Sequence, residues 1–312
     1  MARKKLYKPR SWSKYNKSLI ARGSLSLWIN DDLFNSWHSN NEGKPGAPRK
    51  YSDQAISAAL RLRSIYQLTL RATQGLLESI FRLMNVNLPV PHYSTFSRRM
   101  AKLHIELNAR RKAEPMVLAI DSSGLKVFGE GEWKVRTHGY DKRRTWRKFH
   151  VGIDTEDQVI HAVTVTTNDF KDSEVFEATL DQVNSQVKLA IGDGAYDSKN
   201  CFDYCECRGI TGIFPPRKGA RLRQHGNCKD KPVARDEIIR DIRKNGRKAW
   251  KIKSGYHRRS LAETAMFRFK KLFSGMLSSR RFINQGVEVF LKCQVLNKFN
   301  ELGLANTIAM LN

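Results

Sequence analysis

Hydrophobic and polar positions change period once along the chain, near residue 115. Before that point they recur at helical spacing. Ser52 opens "SDQAISAALRLRSIYQL", in which Ile56, Leu60 and Tyr66 can share an apolar side, and Thr69 opens "TLRATQGLLESIFRLMN". After the proline-bearing "LPVPHY", Ser94 can cap a short basic helix, "STFSRRMAKLH". Three helices ending in an arginine-rich one suggest a helix-turn-helix-like DNA-binding region over 51–112. Arg98, Arg99 and Lys102 would lie on or near its reading surface; a helical cap with solvated arginines is the plainer alternative. Residues 1–50 form a basic arm whose end, with Gly43, Pro45, Gly46 and Pro48, reads as a linker.

Beyond residue 115 the pattern is that of strands interleaved with helices. "PMVLAIDSSGLKVF" is a short apolar run ending in a turn, and "KFHVGIDTEDQVIHAVTVTTND" alternates as two strands around Glu156 and Asp157. "SEVFEATLDQVN" predicts a helix capped by Ser173. "VKLAIGDGAYDS" predicts a buried strand running into glycines, with a helix from Ser198 after it. "GITGIFPPRKG" is a further short strand, residues 217–255 form a basic insertion broken by Gly and Pro, and "GVEVFLKCQVLNKFNELG" is a final amphipathic helix. This order predicts an α/β domain with a mixed sheet over 113–312. Within it, "YHRRSLAETAMFRFKK" places Tyr256, Arg259, Glu263, Phe267 and Lys270 along one side of a helix. Leu261, Ala265, Phe269 and Leu272 fall on other faces, able to dock onto a core.

Charge narrows the partner. The 312 residues carry 56 Lys+Arg against 30 Asp+Glu, a formal net charge of +26, with basic and aromatic side chains interleaved along the whole length. Such an excess repels itself unless a polyanion neutralises it, which makes nucleic acid the leading partner, ahead of a membrane surface or charge kept for solubility alone. No apolar run reaches the length of a membrane span, and the basic N-terminus has no apolar segment behind it, so neither a membrane protein nor a secretory signal is expected. The five cysteines, Cys201, Cys205, Cys207, Cys228 and Cys293, are odd in number and lack paired C-x-x-C spacing. That favours reduced thiols in a cytosolic compartment over a zinc site completed by His225.

Against this cationic background three carboxylates stand out. Asp121 ends the apolar "VLAID" and Asp193 ends "LAIGD", where a lone buried carboxylate is costly unless paired or metal-bound. With Glu263 from a crossing helix they would form a nest of hard oxygen ligands suited to Mg²⁺, and two such ions can act on a phosphodiester. Each has a plainer role: Asp121 and Asp193 as turn caps, Glu263 as an intrahelical partner of Arg259 or Lys270. Trp250, in the basic insertion, is either a base-stacking residue or a core tryptophan.

Tyr256-x2-Arg259-x3-Glu263-x6-Lys270 matches the Y-R-E-K signature of DDE transposases from bacterial insertion sequences, and "AIDSSGLKV" and "AIGDGAYDS" resemble the other two motif regions. Length and layout resemble insertion-sequence family five over nearly the whole chain. The resemblance implies a ribonuclease-H-like domain and metal ligation by Asp121, Asp193 and Glu263, with Asp197 as the alternative second ligand. It implies Mg²⁺, two ions with Mn²⁺ as a substitute, and contacts from Tyr256, Arg259 and Lys270 to terminal DNA. The activity implied is cleavage of double-stranded DNA at terminal inverted repeats and joining to a target, by a homo-oligomer on DNA at the nucleoid of a bacterial cytoplasm. A non-catalytic DNA-binding regulator and a structure-selective nuclease are the alternatives.

Overall fold

The computed structural model describes residues 7–9, 11–40, 48–107, 109–127, 146–224, 232–304 and 307–309. The expected linker residues Gly43, Pro45 and Gly46, as well as His225 and Cys228, lie outside them. The chain divides into two compact units, residues 1–106 with 290–312, and residues 107–289.

The first unit is helical. Strand β1 (Tyr7–Pro9) pairs with a C-terminal strand at Thr307–Ala309, and α1 (Trp12–Ala21) and α2 (Asp31–Asn35) follow. Helix α3 (Asp53–Ile65) and α4 (Leu70–Leu83) start where the sequence places them, because Ser52 and Thr69 accept from the Ala55 and Ala72 N–H groups at 3.0 and 3.2 Å. Ile56 and Leu60 are buried, whereas Tyr66 lies past the helix end and is exposed. The third helix, α5 (Tyr93–Met100), begins a residue before Ser94; its cap is His92, whose Nδ1 accepts from the Ser94 N–H at 3.4 Å. Late residues complete this unit: Phe299 meets Trp28 edge-on at 6.1 Å, and Arg22 donates to the Gly303 carbonyl at 3.1 Å.

The second unit is built on a six-stranded mixed sheet of order β4-β3-β2-β5-β6, with β7 added beside β2. Its strands are β2 (Met116–Val127), β3 (Trp146–Asp154), β4 (Ile160–Thr167), β5 (Val187–Ile191), β6 (Thr211–Ile213) and β7 (Met276–Leu277). Strands β2, β3 and β4 form an antiparallel meander, whereas β5 and β6 run parallel to β2, the arrangement of a ribonuclease-H-like sheet. Helices cover both faces, which is why the strand sequences read as near-continuous apolar runs. Met116, Leu118 and Ile120 pack with Phe176 and Leu180 of α6 (Phe176–Leu180) and with Cys201, Phe202 and Cys205 of α7 (Lys199–Cys207). On the opposite face Val117, Ile191 and Ile213 meet Trp250.

Three local expectations change. The "DSSG" run is strand rather than turn, because Ser122, Ser123 and Gly124 pair with His150, Phe149 and Lys148 of β3. Ser173 does not cap a helix: a 3-10 turn spans Asp172–Glu174, tightened by the Glu174 carboxylate on the Lys171 N–H at 3.0 Å, and α6 starts after it. The described part of residues 217–255, expected as an insertion broken by Gly and Pro, contains two helices, α8 (Ala234–Asn245) and α9 (Arg247–Lys253); of the two readings of Trp250 the core one holds, at 3% exposure. Two further helices close the chain, α10 (Ser260–Phe273) and α11 (Phe282–Leu302).

Candidate active site

The carboxylates lie at a fork in the sheet. Strand β5 pairs with β2 only as far as Ile191 opposite Ala119, and β7 joins β2 only at Lys126. Between these points the edge of β2 is open, and Asp121 and Asp193 each lie two residues beyond the last paired residue of their strand pair. A fork at the carboxyl ends of parallel strands is where α/β sheets hold ligands. Asp121 therefore sits within a long strand, not at its end, with the Ser122 N–H donating to its Oδ1 at 2.9 Å.

Asp193 follows Gly192, where a Cβ would stand 2.6 Å from the Tyr196 ring; the missing side chain lets that ring pack into the core beneath the turn. Asp193 caps the 3-10 turn Gly194–Tyr196 by accepting from the Ala195 N–H at 2.8 Å. Asp197, the alternative second ligand, is committed elsewhere. Its 3% exposed carboxylate is gripped by Arg235, Nε to Oδ1 at 2.6 Å and Nη2 to Oδ2 at 3.1 Å. Nothing in the sequence links those two residues.

Glu263 arrives on α10, which is preceded by a 3-10 turn at Tyr256–Arg259 rather than continuing as one helix. Gly255, at φ +68°, ends α9 and starts the turn. A three-residue period keeps Tyr256 and Arg259 on one face, so the row survives the change of helix type. The docking face of α10 is Ala262, Ala265, Met266, Phe269 and Phe273; the expected Leu261 and Leu272 are only half-buried. Phe269 meets Phe149 of β3 at 4.7 Å, which presses the helix onto the sheet.

Arg259 ties the site together. Its Nη1 donates to Asp121 Oδ2 at 2.8 Å and its Nη2 to Glu263 Oε1. Lys270, farther along, donates to Ser123 Oγ at 2.6 Å. The Tyr256 ring stacks at 5.7 Å on buried Trp250, with Lys251 5.2 Å and the Arg259 guanidinium carbon 6.0 Å from its centre. Burial pushes the Asp121 carboxyl up to about 6; the Ser122 N–H and Arg259 oppose that rise, and the charges of Asp193 and Glu263 add to it. A half-buried carboxylate raised chiefly by desolvation, with two further carboxylates adding to the rise, is a set that a divalent cation relieves, so these residues fit a metal.

Among the described residues, the group already spaced to hold a metal is a different one: Asp154, Asp157 and His161 at the β3–β4 turn. Lys112 occupies it, its ammonium bonded to Asp154 and lying 2.7 Å from Asp157. That pairing explains why a fully buried Asp154 is tolerated, and sequence reading had no signal for it.

The remaining site expectations separate by exposure. Arg98 and Lys102 are exposed, whereas Arg99 turns inward, donating to the Tyr51 carbonyl at 2.8 Å and pairing with Asp53. Cys201 and Cys205 are buried thiols, pushed by burial up to about 11 and about 12, and Cys207 is free and exposed. No helix among the described residues is long and apolar enough to cross a membrane.

Comparison with known proteins gives matches to two families, each described as a transposase DDE domain, one over residues 20–130 and the other over residues 112–298. Among solved structures, the Drosophila P element transposase strand transfer complex matches at 14% identity and a TM-score of 0.30. The match covers 62% of this chain and 43% of that one, so the chain spans less than half of that protein.

Proposed function

The chain belongs to the transposase DDE-domain family, and from that premise we propose that it is a DNA transposase of the insertion-sequence family-five type, cutting double-stranded DNA at element ends and joining those ends to a target. The observation that carries the reading is the fork. Asp121 is half-buried at an open strand edge beside Asp193, and Glu263 is tied to Asp121 through one guanidinium.

In this reading Asp121, Asp193 and Glu263 hold Mg²⁺, as a pair of ions that Mn²⁺ can replace. Asp197 is set aside because Arg235 already satisfies both of its oxygens. When bound, the metal supplies activation of the attacking oxygen and stabilisation of the leaving one. The chain's own residues supply position. Asp121 stands within β2 and Asp193 on the turn that follows β5, so the ladder between the two strands brings both to the fork. Tyr256 and Lys270 flank Glu263 on the same row and offer a phenol and an ammonium to the terminal phosphates, and the excess of +26 supplies the sequence-independent hold on DNA. The helices α3 to α5, through exposed Arg98 and Lys102, read the terminal inverted repeats, and the protein works as a homo-oligomer on DNA at the bacterial nucleoid.

The test is cleavage and strand transfer with the element's own ends and Mg²⁺. Asp121→Asn, Asp193→Asn and Glu263→Gln should each lower cleavage by roughly a hundredfold or more while leaving binding to the ends in place. Asp197→Asn should act on folding instead, since it breaks a buried ion pair. Binding of ends without cutting would make the protein a regulator. Cutting of branched DNA without regard to ends would make it a structure-selective nuclease.

A further inference from the structure

The site is not a bare nest of carboxylates. The Arg259 guanidinium is 19% exposed and bonds Asp121 through one nitrogen and Glu263 through another. Both carboxylates it holds belong to the proposed metal site. Arg259 also stands on a short 3-10 turn, with Gly255 in a left-handed conformation just before it. Its ring neighbour Tyr256 is anchored on Trp250, which is fixed in the sheet core against Val117, Ile191 and Ile213. The base of the arm is thus rigid, while its end is held by the two carboxylates.

We propose that Arg259 is the stand-in cation of the metal-free site, displaced from Asp121 and Glu263 when a divalent metal enters and thereby released to bind a DNA phosphate. This inference rests on the proposed metal site. It makes Arg259 a positioning residue with two alternating partners, not a fixed DNA contact. Before metal arrives, the guanidinium lowers the repulsion among three carboxylates and keeps Glu263 close to the sheet. After metal arrives, the same guanidinium has lost both carboxylates and is left with the Tyr256 ring beside it, and phosphate is the anion at hand. Metal and DNA therefore help each other bind, and linkage makes the coupling reciprocal. With two of its donors held by Asp121 and Glu263, Arg259 offers a DNA phosphate less than a released guanidinium would.

Two binding measurements test this without catalysis. Free Mn²⁺ is followed by electron paramagnetic resonance during titration of wild type, Arg259→Gln and Arg259→Lys. Because metal entry no longer has to break two ion pairs, Arg259→Gln should bind Mn²⁺ about tenfold more tightly, with Arg259→Lys between it and wild type. In parallel, a short blunt DNA duplex is titrated with and without Ca²⁺. Ca²⁺ should tighten wild-type binding by about tenfold and leave Arg259→Gln nearly unchanged. Equal or weaker Mn²⁺ binding by Arg259→Gln overturns the proposal, as does a Ca²⁺ effect on DNA that survives that substitution. Glu263→Gln and Asp121→Asn serve as controls: if they bind Mn²⁺ as wild type does, the metal site itself has been misplaced. If they lose Mn²⁺ while Arg259→Gln does not gain it, only the role of Arg259 falls.

Discussion

His150 lies opposite Ser122 in the β2–β3 ladder, one step from Asp121, and is 1% exposed. Its Nε2 is 3.0 Å from Thr166 Oγ1, while its Nδ1 is 3.9 Å from Asp172, beyond hydrogen-bond length. Burial pushes its pKa down to about 4 from 6.5, more than the nearby Asp172 can offset, with Lys148 adding to the fall. A depressed histidine contributes stability that is present above about pH 6.5 and is lost as the pH falls toward about 4, roughly 3 kcal/mol in all. Asp121 has the opposite sign: raised to about 6, it favours the folded state at low pH, and that contribution is lost as pH rises from about 4 through about 6. The two oppose each other in wild type. Urea midpoints measured across this window should therefore vary less in wild type than in a variant lacking either group. Asp121→Asn should become less stable on acidification and His150→Gln more stable. Parallel curves for the three proteins would show that neither burial effect operates.

At the scale of elements, the contact that decides the site is α10 against β2. Apolar docking of Phe269 and Phe273 holds the helix, and two polar bonds set its register, Arg259 to Asp121 and Lys270 to Ser123. The Lys270 bond holds the helix to Ser123, whereas the proposed function gives the same ammonium a phosphate. Two substitutions separate these roles. Ser123→Ala removes the bond but keeps the cation, so it should cost about 1 kcal/mol in denaturation and leave the salt dependence of DNA affinity unchanged. Lys270→Ala should cost a similar amount and also shallow the slope of log affinity against log salt by about one unit. An unchanged slope for Lys270→Ala would confine Lys270 to holding the helix.

At the scale of the molecule, residues 290–312 follow the sheet in the chain but group with the N-terminal helices. Phe299, 5% exposed, packs on Trp28 and lies under Arg22 at 5.5 Å. Phe299→Ala should therefore destabilise the helical unit by about 3 kcal/mol, and a fragment ending near residue 112 should fold poorly because that packing is gone. Recognition is then best tested in the whole chain. Arg98→Ala and Lys102→Ala should each shallow the salt slope by about one unit without loss of stability. Arg99→Ala should mainly destabilise, since it leaves the Tyr51 carbonyl and Asp53 without their donor.

What the sequence determined by itself was local. Caps at Ser52, Thr69 and Ser198, the change from helical to strand period near residue 115, and the i, i+3, i+4 row from Tyr256 to Lys270 all depend on neighbours within a turn or two, so they can be read without the fold. Tertiary structure decided whatever depends on a distant partner. The polar "DSSG" run became strand because β3 lay beside it to take its hydrogen bonds, and Trp250 became core because the sheet face supplied Val117, Ile191 and Ile213. Asp197 was taken up by Arg235, and Arg259 found Asp121 across 138 residues of chain. Such pairs leave no trace in spacing, since chain topology rather than residue order brings them together. The three carboxylates could be named from the sequence, but the fork that gathers them could not, because a fork exists only where two paired strands part.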